Sequence, residues 1–234
     1  MVPRLDCPAR MPRERYAAEL DRLRDTLVEM GRLVVDRLDD AAAALEHEDA
    51  ERARRVVDGD HEVNALYREV ESQCIDLFAL QQPVAGDLRR IASTFKISTD
   101  LERVGDLAVN LAEYAMELDR GLYAQVSLSD IVDTAREMVA DAVELYADDG
   151  DEWQCHELAD RDTELDAMCA HAGRVVTLTL LDHDDDAEES VQRLVEDVST
   201  LLLTVRDLER VGDHAVNVAA RTLYVTEGDD SLLE

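Results

Sequence analysis

Aromatic side chains are scarce in this sequence: six Tyr, two Phe and one Trp make up 4% of 234 residues, while hydrophobic residues reach 46%. A core drawn from Ala, Val and Leu with so few rings suits packed helices. A β-sandwich would draw on β-branched and aromatic strands. Chain breakers are scarce too. Four prolines and nine glycines leave few places to turn, which favours long helices. Long apolar runs are missing: the longest, at 175–181 and 201–205, are broken by threonine and fall far short of the ~20 residues of a membrane helix. The N-terminal segment 1–15 carries Arg4, Arg10, Arg13 and Arg15 but no apolar centre, so it lacks the pattern of a secretory leader. A place in the cytoplasm, without membrane insertion, is the expectation.

Lysine is all but absent. Lys96 stands alone beside 55 acidic residues, and the formal net charge is −31. Acidic surface at that density repels itself unless counter-ions screen it, and at about 1 M salt the Debye length is only ~3 Å. The balance points to a salt-adapted, halophilic source. It also excludes a duplex-binding regulator, which needs a basic face to neutralise phosphates. Four cysteines (Cys7, Cys74, Cys155, Cys169) form no CxxC pair and no zinc-finger spacing with histidine, so buried free thiols are expected.

What is present is helical periodicity. Leu20, Leu23, Leu27, Met30, Val34 and Leu38 make an i, i+3, i+4 stripe in a first helix over about 14–47. Asp49 is placed to cap a second helix reaching about Leu80. A break at 81–83 precedes a third over about 86–120, with Gly121 as its C-terminal cap. The pattern then restarts: helices at about 130–148, from the turn 149–151 to about Leu181, and, after the acidic loop 182–186, at 187–226. The fold class expected is all-α, two tandem antiparallel three-helix bundles. The boundaries are 1–13 for an extension, 14–121 and 127–227 for the two units, and 228–234 for a tail expected to fray.

A repeat supports the duplication. Asp100-Leu-Glu-Arg-Val-Gly-Asp106 recurs verbatim as Asp207-Leu-Glu-Arg-Val-Gly-Asp213, and Ala108-Val109-Asn110 returns as Ala215-Val216-Asn217. A fainter echo ties Asp49 to Asp151, Asp60 to Asp162 and Asn64 to Asp166, 102 positions on against 107 for the heptapeptide. The five-residue difference belongs in the loop between second and third helices.

At 100° per residue Leu101, Val104, Ala108, Leu111 and Ala115 share a core-facing stripe. Glu102, Asp106, Asn110 and Glu113 lie roughly opposite. In the second copy that stripe carries Glu209, Asp213, Asn217 and Arg221. Carboxylates at i and i+4 are about 6 Å apart and repel, which a bound cation would relieve. In so acidic a chain the same pattern also arises as plain solvated surface. The repeat keeps Arg, Gly and Asn as well as acids, however, and mid-helix Gly105 and Gly212 each cost about 1 kcal/mol against Ala. Glycine there suits close approach of another helix or an ion cluster. Arg103 and Arg210 are candidates to bridge acids of a neighbouring helix, and His214 is expected to be a surface or packing residue rather than a ligand.

The tandem E-R-V-G-D helices, with the D-x-x-x-D of Asp162 and Asp166, resemble the PhoU family of phosphate-transport regulators over nearly the whole chain from about Met11. Met11-Pro-Arg-Glu-Arg-Tyr is similar to the family's usual start, so residues 1–10 are taken as an extension or a misplaced start. The resemblance implies two side-by-side bundles, often dimeric, with metal clusters held by paired acids of the second and third helices. Carried over residue by residue, one site uses Asp60, Glu102 and Asp106, and the other Asp162, Asp166, Glu209 and Asp213. Asn64 stands where a carboxylate is expected, so the first site should be the weaker; Asn64, Asn110, Glu113 and Asn217 are secondary candidates. Oxygen ligands suit magnesium, manganese or ferric iron, and zinc is also associated with the family. The implied function is negative regulation of phosphate uptake. Its partners would be a phosphate ABC transporter on its cytoplasmic side and a sensor kinase where one exists.

Two other classes compete with this reading. A di-iron oxidase would need Glu-x-x-His on two helices, and no histidine has Glu three positions before it; with no phosphate loop or nucleophile elbow, an enzyme is not expected. The alternative kept open is a salt-adapted helical scaffold for another transporter or regulator, without a metal cluster.

Overall fold

The apolar spacing at the start of the chain builds a helix as expected: Leu23, Leu27, Met30, Val34 and Leu38 are each at most 1% exposed. A computed structural model describes residues 13–81, 85–117, 126, 128–181 and 188–233. Its helices are α1 (Arg13–His47), α2 (Ala50–Gln81), α3 (Ala85–Ala115), α4 (Leu128–Ala147), α5 (Glu152–Leu181) and α6 (Glu188–Thr226), with no strand among the described residues. Residues 1–12 of the expected extension, the expected cap Gly121 and the acidic loop 182–186 lie outside the described residues.

Both halves turn their first corner by the same chemistry. Helix α1 closes with Asp49 N donating to Ala44 O at 3.2 Å, and α4 with Gly150 N donating to Leu145 O at 2.8 Å. These are six-to-one closures that satisfy C-terminal carbonyls. Glu48 (φ 54°) and Asp149 (φ 53°) take the left-handed conformation such a closure requires. The next helix is then capped: Asp49 Oδ1 accepts from Arg52 N and Asp151 Oδ1 from Gln154 N, each at 2.9 Å. In the second half Gln154 Oε1 also accepts from Asp151 N at 3.1 Å, completing a reciprocal capping box.

Helices α1, α2 and α3 pack on one another, as do α4, α5 and α6. The two bundles join along α3 against α6 and α1 against α4. The core stripe of the heptapeptide helix is as expected, with Leu101, Val104, Ala108 and Leu111 at most 2% exposed and Ala115 at 9%. Cys74, Cys155 and Cys169 are buried free thiols, and burial pushes each up, to about 12, 11 and 12 respectively.

Two expectations need correction. Helix α3 stops at Ala115 rather than near Arg120, because Met116 N and Glu117 N bond to carbonyls three residues back (Glu113 and Tyr114, 3.1 and 3.0 Å). That tightening ends the α-helical ladder. The tail does not fray: residues 228–233 fold back, and Leu232 packs half-buried against the core.

Candidate metal centre

The repeated glycines set the geometry. A Cβ on Gly105 would stand 3.1 Å from Val63 Cγ1 on α2, and one on Gly212 would stand 2.5 Å from Leu165 Cδ2 on α5. Val63 and Leu165 are themselves 102 positions apart, so both bundles repeat one close approach of second and third helices. The glycines are there for helix contact. Each approach brings the acid-bearing stretches of the second and third helices side by side, with Asp60, Glu102 and Asp162 half-buried and Asp106, Asp166, Glu209 and Asp213 exposed.

In the second bundle four carboxylates share that seam. Asp162 lies so near Gly212 that a Cβ would be 2.7 Å from its Oδ1. That oxygen is buried and has no hydrogen-bond partner. Burial first, then Asp166, Asp213 and Glu209, push the Asp162 carboxyl up to about 6. Burial and Asp166 likewise raise Asp213, and burial, Asp166 and Asp213 raise Glu209. A buried carboxylate oxygen without a hydrogen-bond partner, in the field of three further acids, is costly unless a proton or a cation compensates it.

The first bundle is a muted copy. Burial, Asp106 and Asp60 raise Glu102, and burial and Asp60 raise Asp106. Asn64 donates its amide to Asp60 Oδ2 at 2.6 Å, so here a neutral donor satisfies the oxygen that a fourth carboxylate would leave exposed to repulsion. The structure thus groups Asp60, Glu102 and Asp106 in one seam and Asp162, Asp166, Glu209 and Asp213 in the other. As placed, no three acidic, histidine or cysteine side chains among the described residues stand close enough to hold an ion at once. The donor set of the second seam, all oxygen with one atom unsatisfied, suits a hard cation.

The secondary candidates have other work. Asn110 donates to Asp207 Oδ2 at 3.0 Å, and Asn217 donates to Asp100 Oδ1 at 3.3 Å. Both bonds cross between the bundles. Tyr114 Oη adds a donor to Asp207 at 3.1 Å; His214 Nδ1 and Arg221 Nε approach Asp100 at 3.0 and 3.7 Å. Tyr114, not Glu113, is the positional twin of Arg221, and Glu113 is exposed. His214 thus bonds across the junction to Asp100 and also borders the cavity beside Asp162 and Asp213. Arg103 and Arg210 pair on their own helices, with Glu102 at 3.7 Å and Asp207 at 3.4 Å, and the charge of Arg210 also reaches across to Asp106 on α3. Arg210 also lines the cavity beside Asp60 and Asp106 in the other bundle. Sequence reasoning missed Asp100 and Asp207 as the centres of this junction, although their exact recurrence with Asn110 and Asn217 was visible.

The family profile described as PhoU domain matches residues 27–115 and again 128–222. The chain belongs to the PhoU family. Among PhoU relatives it is 32% identical over 221 residues to the phosphate-specific transport system accessory protein PhoU homolog of Pseudomonas putida, covering 93% of this chain and 82% of that one. It is 30% identical over 230 residues to the homolog of the same name from Synechocystis, covering 92% and 93%. The crystal structure of PhoU from Pseudomonas aeruginosa superposes with a TM-score of 0.82 at 31% identity, covering 92% of this chain and 100% of that one. A phosphate transport system regulatory protein PhoU from Streptococcus pneumoniae shares the fold at a TM-score of 0.81 and 24% identity, covering 92% and 98%.

Proposed function

We propose that this PhoU chain is a metal-binding negative regulator of phosphate uptake. It would lower the activity of a phosphate ABC transporter from its cytoplasmic side when phosphate is plentiful, as a homodimer, and signal through a sensor kinase where one is present. The phosphate assignment is supported by relatives named as accessory proteins of phosphate-specific transport, matched across both repeats. The metal assignment is carried by one observation: Asp162 Oδ1, buried without a hydrogen-bond partner among Asp166, Glu209 and Asp213. Those four residues would hold the ion, with iron, manganese, magnesium or zinc as the candidates. The ion would supply positive charge that cancels the repulsion and ties α5 to α6. The seam of Asp60, Glu102 and Asp106 would hold a second ion more weakly, because Asn64 contributes no charge.

The spread of the carboxylates as placed favours a second reading, a helical scaffold with no metal cluster. One experiment separates the two. A strain lacking the protein is complemented with wild type or with Asp166→Asn/Glu209→Gln/Asp213→Asn, and phosphate uptake is followed in phosphate-rich medium. Repression by wild type and its loss in an equally abundant variant support the proposal. Equal repression by both favours the scaffold, and no effect of wild type contradicts the phosphate assignment.

A further inference from the structure

Trp153, the chain's one tryptophan, stands 68% exposed on the first turn of α5. Its counterpart in the first half, 102 positions back, is Glu51, so the repeat does not call for an aromatic ring there. The ring borders a cavity of about 390 Å³ at the corner between α4 and α5, backed by the buried side chains of Leu145 and Leu158. Six of the twelve residues lining that cavity are Asp or Glu, against 55 in 234 for the whole chain, so acid is concentrated at this corner. Arg161 on its wall is paired with Glu137 and Asp141 of α4, while Glu144, Asp148 and Glu157 form no ion pair with a described residue. Asp148 also lines a second cavity, of about 1020 Å³, in the groove between α1 and α2. Val28, Leu33 and Leu66 lie half-buried along that groove, with Asp25, Glu29 and Asp36 exposed at its rim. Arg24 of the groove reaches Asp149 of the corner at 3.1 Å, so the two cavities form one trough. Acid alone would be no more than salt-adapted surface; the bare ring and the apolar floor distinguish this face.

We infer that this trough is the docking surface for a basic amphipathic helix of a partner protein. Residues 24–36 of α1 run for about 18 Å, room for roughly three turns of such a helix. Its apolar side chains lie over Val28, Leu33 and Leu66, and its arginines or lysines meet the unpaired acids of the rim. Trp153, framed by carboxylates, is the anchor, since an indole face takes both apolar and arginine contacts. Charge selects the occupant. A second copy of a chain with net charge −31 would add like charge, and nucleic acid and anionic lipid are repelled. Arg161 faces α4 and the next residue, Asp162, faces α6, so the trough lies on another side of α5 from the carboxylate seam. The inference goes beyond the metal and phosphate readings, and its test involves neither.

The probe is a fluorescein-labelled designed peptide of about 18 residues, with leucine on one helical face and arginine on the other, beside a twin carrying glutamate for arginine. Binding to the full chain is followed by fluorescence anisotropy in about 1 M salt, where long-range attraction to the acidic surface is screened. Three variants are compared: Trp153→Ala; Glu144→Gln/Asp148→Asn in the trough; and Glu113→Gln/Glu117→Gln, exposed acids at the far end of α3. Wild type should bind the arginine peptide and not its twin. Trp153→Ala should weaken that binding about tenfold or more, the trough pair several-fold and the distal pair not at all. Because Trp153 is the one tryptophan, its emission should also move to shorter wavelength as the wild-type trough fills. Trp153→Ala binding as tightly as wild type, or equal loss from the two double variants, would reduce the effect to general attraction and overturn the inference. So would no binding by wild type, or equal binding of the glutamate twin. A dimer by light scattering that Trp153→Ala turns into a monomer would make the occupant a second copy, and would overturn it too.

Discussion

Asn110 in the first bundle donates to Asp207 in the second at 3.0 Å, and Asn217 returns the bond to Asp100 at 3.3 Å. Asp207 is 0% exposed and also accepts from Tyr114 and Arg206. Asp207→Ala leaves these donors without their acceptor and should cost about 3 kcal/mol. Asp100→Ala should cost less, because that side chain is 14% exposed. Urea unfolding of the two variants measures the difference, and a double-mutant cycle with Asn110→Ala isolates the crossing bond.

The glycines predict a second asymmetry. Gly105→Ala meets Val63 at 3.1 Å, a contact that a small shift relieves, so the gain of about 1 kcal/mol in helix propensity should roughly cancel the crowding. Gly212→Ala meets both Leu165 and Asp162 within 2.7 Å and should be net destabilising by about 1–2 kcal/mol. Thermal melts compare the pair; equal melting points would contradict the packing account.

Asn64 marks the chemical difference between the two seams. Asn64→Asp replaces the amide that bonds Asp60 with a fourth carboxylate, as in the second seam. Metal-free, this variant should be less stable than wild type through added repulsion. With Mn²⁺ present it should gain affinity at the first seam, seen by calorimetric titration as a second tight site.

The helices and the duplication were legible in the sequence, for clear physical reasons. A 3.6-residue period in Leu23, Leu27, Met30, Val34 and Leu38 survives any arrangement of neighbours. The equal shifts of Asp60 to Asp162 and Asn64 to Asp166 require the two second helices to correspond. What was not legible depends on which helix faces which. The role of Gly105 and Gly212 became definite only once Val63 and Leu165 were seen against them. Asp100 and Asp207 begin the repeat but nothing local marks them as junction residues, since no sequence signal shows that the third helices pack on each other. The tail 228–233 has too little periodicity to reveal that Leu232 finds the core.

Asp162 gives a pH signature. Its carboxyl is raised to about 6 in the folded chain from an ordinary 3.8, so the folded state binds the proton more tightly than the unfolded state. The metal-free protein should therefore gain stability from this group as pH falls from above 6 towards 4, and no further below that. Asp162→Asn should lack that slope while keeping the background of the other acids, and melting temperatures of the two across pH 4–7 give the comparison. Cation uptake runs the other way, weakening below about pH 6 as protons compete.

The central claim is that the second seam holds a metal ion. Its most direct test is elemental analysis of protein purified in high salt without chelator, comparing wild type with Glu209→Ala/Asp213→Ala. The account predicts a stoichiometric metal in wild type that is lost from the variant, with helical content unchanged by circular dichroism. Metal absent from both, or retained in full by the variant, would contradict it.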